Sequence, residues 1–143
     1  MREFTPCLVD VGARWIVAQL SSAEAVLQNR PALEPMKRDS LEAKATGVLI
    51  FGEYKDEGTF DVKVRAYAPA CGISEDPVCG SGNGARAAFI RHTGQTGYFG
   101  QGIRASQGLL LGRAGTIHLD IQDQVIKVGG QAVTCIDGFI TLP

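Results

Sequence analysis

The chain has 143 residues, the size of one domain on the usual scale of roughly 100–200 residues each, and residues 1–143 read as a single unit. Its 14 Lys and Arg nearly cancel its 15 Asp and Glu, leaving a net charge of −1, so the basic excess of a nucleic-acid binder is missing and no nucleic-acid partner is expected. No apolar run approaches the roughly 18 residues of a membrane-crossing helix, and the opening MREFTPCLVD lacks the charged-then-apolar layout of a secretion signal. No membrane partner and a cytoplasmic address are therefore expected.

Glycine stands out: 18 of 143 residues, close to twice the roughly 7% usual share, yet Gly and Pro together stay below the roughly 25–30% of low-complexity chains. Many tight turns are expected rather than disorder. The four cysteines at 7, 71, 79 and 135 form no CxxC pair and there are only two histidines, so no zinc site is expected.

In chain order, Cys7–Val11 and Arg14–Leu20 read as two strands separated by Gly12-Ala13. Ser21 or Ser22 can cap a short helix running to about Gln28, with Glu24 in its first turn. Residues 36–45 read as a polar surface helix that Gly47 can terminate. Val48–Phe51 is a continuous apolar run, as in a strand covered on both faces. After a turn at Lys55–Gly58, residues 59–68 alternate: Phe60, Val62, Val64, Ala66 and Ala68 on one side, Asp61, Lys63, Arg65 and Tyr67 on the other. That pattern predicts a half-buried strand.

A Pro- and Gly-rich loop is expected over 69–84, then a helix from Ala85 to about His92 whose small and apolar side chains predict burial. Strands follow at Ile103–Gln107, Ala114–Ile121 and Val125–Val128. A last hairpin joins Gln131–Ile136 to Phe139–Leu142 through Asp137-Gly138, a pair that tolerates positive φ. The sum is α+β: a mixed or antiparallel sheet rolled around one central buried helix.

Chemistry concentrates in Asp76-Pro77-Val78-Cys79-Gly80-Ser81-Gly82-Asn83-Gly84. The three glycines strip side chains from the start of a helix, where free N–H groups and the helix dipole attract a phosphate or carboxylate. Ser81 and Asn83 can add a hydroxyl and an amide to the same anion. GxGxG is neither the dinucleotide fingerprint nor a P-loop, which rules out both nucleotide readings. Asp76 is placed to act as a general base, and Cys79 beside the positive helix end is expected to have a lowered thiol pKa and to abstract a proton. The plain alternatives are a turn role for Asp76 before Pro77 and a small buried hydrophobe at Cys79. Trp15 reads as core, and His92 and His118 as structural.

Arg65–Pro69, Gly72-Ile73-Ser74-Glu75-Asp76-Pro77 and Gly80-Ser81, followed by a small-residue helix, resemble the signature of the PhzF-like isomerases of the diaminopimelate epimerase fold. Ser106-Gln107-Gly108, Gly112-Arg113 and Val128–Val133 resemble that family's closing strands. The likeness covers most of residues 47–142 and corresponds to the second of the family's two lobes. It implies acid/base work for Asp76, substrate holding by Gly80 and Ser81, and no cofactor. Cys79 stands where the related epimerases and racemases carry a catalytic cysteine. The motif for the opposing catalytic group, which the family's first lobe carries, is not found upstream of residue 47. Three functions follow as expectations: an isomerase completed as a homodimer and acting on a small carboxylate, a binding domain that kept the anion site without the chemistry, or a half-enzyme fragment.

Overall fold

Residues 4–56 and 58–142 are described by the computed structural model; the turn expected at Lys55–Gly58 includes Glu57, which lies outside them. Among these residues the strands are β1 (Cys7–Asp10), β2 (Arg14–Gln19), β3 (Gly47–Glu53), β4 (Val62–Ala68), β5 (Ile73–Asp76), β6 (Gly102–Gln107), β7 (Gly115–Ile121) and β8 (Ile126–Gly130). The helices are α1 (Ala23–Gln28), α2 (Leu33–Glu42), α3 (Gly80–His92) and α4 (Thr96–Phe99). The strands form one mixed sheet in the order β1-β2-β3-β4-β6-β7-β8, with β5 also paired to β4. Pairing is parallel for β2/β3 and β4/β6 and antiparallel elsewhere.

The sheet curls around α3, and the alternation of each strand decides what lies inside. Trp15 and Val17, Leu49 and Phe51, Val62, Val64 and Ala66, Ile103 and Ala105, and Ile117, Leu119 and Ile121 join Ala85, Ala87, Phe89 and Ile90 of α3 in one buried cluster. Each such side chain contributes roughly 1.5–3 kcal/mol when fully buried, apart from the smaller alanines. The α+β architecture with one central buried helix is thus observed. Helices α1 and α2 cover the opposite face of β3 and β4, where Val26, Ile50 and Tyr67 form a smaller cluster with Met36 and Val48 against it.

Several local expectations are met. Ser22 caps α1, its Oγ accepting the Ala25 N–H at 3.1 Å, and Arg91 and His92 occupy the last turn of α3, where cations offset the carbonyl end of the dipole.

Others are corrected. Helix α2 starts at Leu33 rather than residue 36 and keeps Pro35 in its first turn, where a missing N–H forfeits no helical bond. Strand β4 is buried on both faces, not one, because α1 covers the side that carries Lys63, Arg65 and Tyr67. The expected loop over 69–84 contains a 3-10 turn at Pro69–Cys71, strand β5 and the first turn of α3. Helix α3 begins five residues before the expected Ala85, since its glycines are helical.

The expected carboxy-terminal hairpin does not form. Residues 131–142 carry no strand assignment, and Val133, Ile136, Phe139, Ile140 and Leu142 are exposed. Two short strands gain too little alone, and these find no third among the described residues.

Candidate functional site at the amino end of helix α3

The edge of β4 is shared. β6 pairs with Val62 and Lys63, whereas β5 pairs with Ala66 and Ala68, so the two diverge and leave a fork. The chain leaves β5 at Asp76, crosses Pro77-Val78 and enters α3 through Cys79, placing the helix amino end at that fork.

Cys79 is the N-cap of α3, with extended backbone and its Sγ accepting the Gly82 N–H at 3.3 Å. The Asn83 N–H goes to the Cys79 carbonyl at 3.2 Å. The N–H groups of Gly80 and Ser81 have no acceptor among the described residues, and both residues are exposed. A helix end of this kind attracts a carboxylate. Gly82 is required for packing: a Cβ there would meet Cys79 Sγ and Leu49 Cδ1, each at 2.9 Å.

Ser81 Oγ accepts the Trp15 indole N–H at 3.1 Å. Because that ring nitrogen only donates, the Ser81 hydroxyl keeps its own hydrogen to donate, with Cys79 Sγ at 3.9 Å one partner within reach. Trp15 is core, as expected, and it also orients this hydroxyl.

Asp76 is half-buried, and its Oδ1 accepts the Val78 N–H at 3.0 Å. The turn role before Pro77 is therefore real, and it uses one of the two carboxylate oxygens. Glu75, one residue earlier, points the other way. Its two oxygens take Nε and Nη2 of Arg65 at 2.9 and 2.8 Å, and this hydrogen-bonded pair raises the Arg65 pKa.

Cys79 departs from the sequence expectation. Its side chain is 4% exposed, and burial pushes the thiol above its ordinary value. The Gly82 N–H and Ser81 hydroxyl act against this, while the neighbouring Asp76 carboxylate adds to it. Desolvation outweighs the helix end, so at neutral pH Cys79 is a thiol that can give a proton, not a thiolate that takes one.

Asn83 is also relocated. Fully buried, it donates Nδ2–H to the Cys79 carbonyl at 2.8 Å and to Gln107 Oε1 at 2.9 Å, so its amide faces the fold and supports the site from behind. Gln107 was missed by the sequence reading. It is 1% exposed, donates Nε2–H to the Asp76 carbonyl at 2.8 Å, and accepts the Cys79 N–H through Oε1 at 3.4 Å. One signal was available: Gln107 continues the inward positions Ile103 and Ala105 of β6, and a polar group there needs buried partners.

The structure thus brings Asp76, Cys79, Gly80 and Ser81 together and places Gly82 and Asn83 beneath them. Apolar side chains flank the open face: Ile73, Val78 and Leu109–Leu111 are exposed, and Gly108 and Gly115 of the same region approach the Pro77 carbonyl and the Val78 side chain. His92 and His118 are exposed and lie outside this group. Among the described residues no His, Cys, Asp and Glu side chains cluster as a metal site would require, and no helix is long and apolar enough to cross a membrane.

Residues 1–138 match the phenazine biosynthesis-like protein family PhzC-PhzF. The chain is 34% identical over 138 residues to "Antisense-enhancing sequence 1" of Schizosaccharomyces pombe, covering 93% of this chain and 45% of that one. An uncharacterized isomerase of the same yeast is 34% identical over 142 residues, covering 94% and 75%. A crystal structure of a phenazine biosynthesis PhzC/PhzF protein from Clostridium difficile superposes with a TM-score of 0.64 at 23% identity, over 90% of this chain and 45% of that one. The chain therefore spans about half the length of several relatives it matches, and three quarters of the yeast isomerase. With the family match running through nearly the whole sequence and the same curled sheet around its central helix, this chain belongs to the phenazine biosynthesis-like PhzC-PhzF family.

Proposed function

We propose that the open face at the amino end of α3 is the proton-transfer site of a cofactor-independent isomerase that acts on a small carboxylate. The observation that carries this reading is that Asp76 and the free N–H groups of Gly80 and Ser81 share one accessible face, with the buried Cys79 thiol beneath it. Relatives named as isomerases support it.

In this reading the Gly80 and Ser81 N–H groups and the Ser81 hydroxyl hold the substrate carboxylate. Asp76 takes the proton from the adjacent carbon, and the electron pair shifts onto the carboxylate oxygens, where the same donors stabilise it. A proton then returns to carbon and restores the carboxylate. Cys79, kept protonated by burial, is the donor on hand, and the proton on Asp76 restores it.

We further propose that the chain acts as a second-lobe unit, in the cytoplasm, and that a second copy completes the site about a twofold axis. That arrangement sets another Asp76 and Cys79 against the opposite face of the carbon. The apolar rim at Val78 and Leu109–Leu111 and the exposed apolar positions of 131–142 support it, because surfaces of this kind mark association sites.

The burial of Cys79 favours a second reading, an anion-binding domain without chemistry. The test is to incubate the protein with 2-amino and 2-hydroxy acids in D2O and follow the α-proton by NMR. Deuterium is expected at the α-carbon with the native chain and not with Asp76→Asn. Carboxylates that shift the Gly80 and Ser81 amide signals without deuterium uptake would establish the binding domain instead.

A further inference from the structure

Helix α3 carries a cation in the core of the domain. Arg86 is fully buried, its guanidinium lies 5.8 Å from the centre of the Phe51 ring, and neither Nη1 nor Nη2 has a hydrogen-bond partner among the described residues. Burial pulls its pKa down to about 9, with Asp61 acting against this, so the group stays charged at neutral pH. Burying a charge with two unsatisfied nitrogens is costly, and leucine or methionine would fill such a place more cheaply.

Among the described residues the Arg86 side chain makes one hydrogen bond, from Nε–H to Asn83 Oδ1 at 3.1 Å, one turn earlier on the helix. A guanidinium can only donate, so this bond forces Oδ1 of Asn83 toward Arg86 and Nδ2 toward the Cys79 carbonyl and Gln107 Oε1. A flipped Asn83 amide would set donor against donor at Arg86 and acceptor against acceptors at the other end. Asn83 fixes Gln107 in the same way. With Oε1 taken by Asn83 Nδ2 and the Cys79 N–H, Nε2 faces the Asp76 carbonyl. The backbone groups of Asp76 and Cys79 demand the same direction at the far end, and the Arg86 N–H is what meets the remaining Asn83 oxygen.

We infer that Arg86 is a positioning residue: its single N–H satisfies the Asn83 oxygen that closes the Asn83–Gln107 chain, and so holds the backbone of Asp76 and Cys79 in the arrangement the site uses. The catalytic part of this inference rests on the isomerase reading above; the geometric part does not.

Two substitutions separate the N–H from the charge. Arg86→Gln keeps an N–H at the same bond position as Nε and removes both unsatisfied nitrogens. Arg86→Met has similar reach and no donor. In Arg86→Met the Cys79 amide is expected to exchange with solvent at least about tenfold faster, read by hydrogen-exchange NMR. Turnover, read as α-deuterium uptake, is expected to fall at least about tenfold with KM within about twofold. Arg86→Gln is expected to keep both within about twofold, with Tm at or above that of the native chain. Unchanged Cys79 amide protection in Arg86→Met would overturn the inference. So would an Arg86→Gln protein that loses as much as Arg86→Met, because the charge would then be the active element. If the native chain labels none of the acids, the isomerase reading fails, and the Cys79 amide still decides whether Arg86 holds the chain.

Discussion

Glu75 and Asp76 are adjacent carboxylates in two unlike regions. On the covered side of β4 and β5 the polar groups satisfy one another. Glu75 grips Arg65, whose Nη1 also reaches the Val26 and Asn29 carbonyls at 3.2 and 2.8 Å, and Lys63 Nζ donates to Ser106 at 3.2 Å. At the amino end of α3 groups are left over: the N–H groups of exposed Gly80 and Ser81 have no acceptor among the described residues, and half-buried Asp76 lies beside them. A buried polar cluster that is complete serves the fold. One with donors and an acceptor remaining on an open face is available to a ligand.

The sharpest way to break this contrast is to open the closed side. Arg65→Leu leaves Glu75 buried without its cation and is expected to cost about 3–5 kcal/mol in urea unfolding. A loss under about 1 kcal/mol would class the pair with exposed ion pairs and dissolve the distinction. On the open side, Asp76→Asn is expected to lower α-proton exchange by about 10²–10⁴-fold. Its stability is expected to stay within about 1 kcal/mol of the native chain, since an Asn oxygen can still accept the Val78 N–H. A stability loss matching that of Arg65→Leu would make Asp76 a structural residue.

Two glycines sharpen the boundary between the regions. Gly82→Ala drives a methyl group into Cys79 Sγ and Leu49 Cδ1 and is expected to cost about 1–3 kcal/mol. Gly80→Ala meets nothing within 4 Å and is expected to change stability by less than about 0.5 kcal/mol in the same assay. Equal losses would mean that the open face is packed after all.

The smallest effect concerns the thiols. Cys79, buried and with its pKa raised, is expected to resist iodoacetamide at neutral pH while exposed Cys71 and Cys135 react, as peptide mass spectrometry would show. As pH climbs past the ordinary thiol value of 9.0, the unfolded chain loses its Cys79 proton before the folded one does. The folded state then binds more protons, and its stability falls with rising pH. Cys79→Ser is expected to flatten that slope.

Period and punctuation made much of this legible from sequence: the alternation of β4, the Ser22 cap and the small-residue helix each express a local rule. The outer face of β4 did not, because Lys63 and Arg65 look like solvated groups until Glu75 and α1 close over them. Asp76 and Cys79 were visible as a short motif, but the direction of the Cys79 pKa was not, since its burial comes from Trp15 and Leu49 elsewhere in the chain. Gln107 lies 28 residues from Cys79 and becomes a partner only where β5 and β6 part. The Asp137-Gly138 turn failed as a hairpin because turn chemistry cannot supply the sheet that such strands need.

Light scattering behind a sizing column tests the proposal that the open face at the amino end of α3 is half of a site. A particle of about twice the 15.2 kDa chain mass is expected, falling toward a single chain when charge is introduced into the apolar rim by Leu110→Glu. A single-chain mass at every concentration, with α-proton exchange intact, would contradict it.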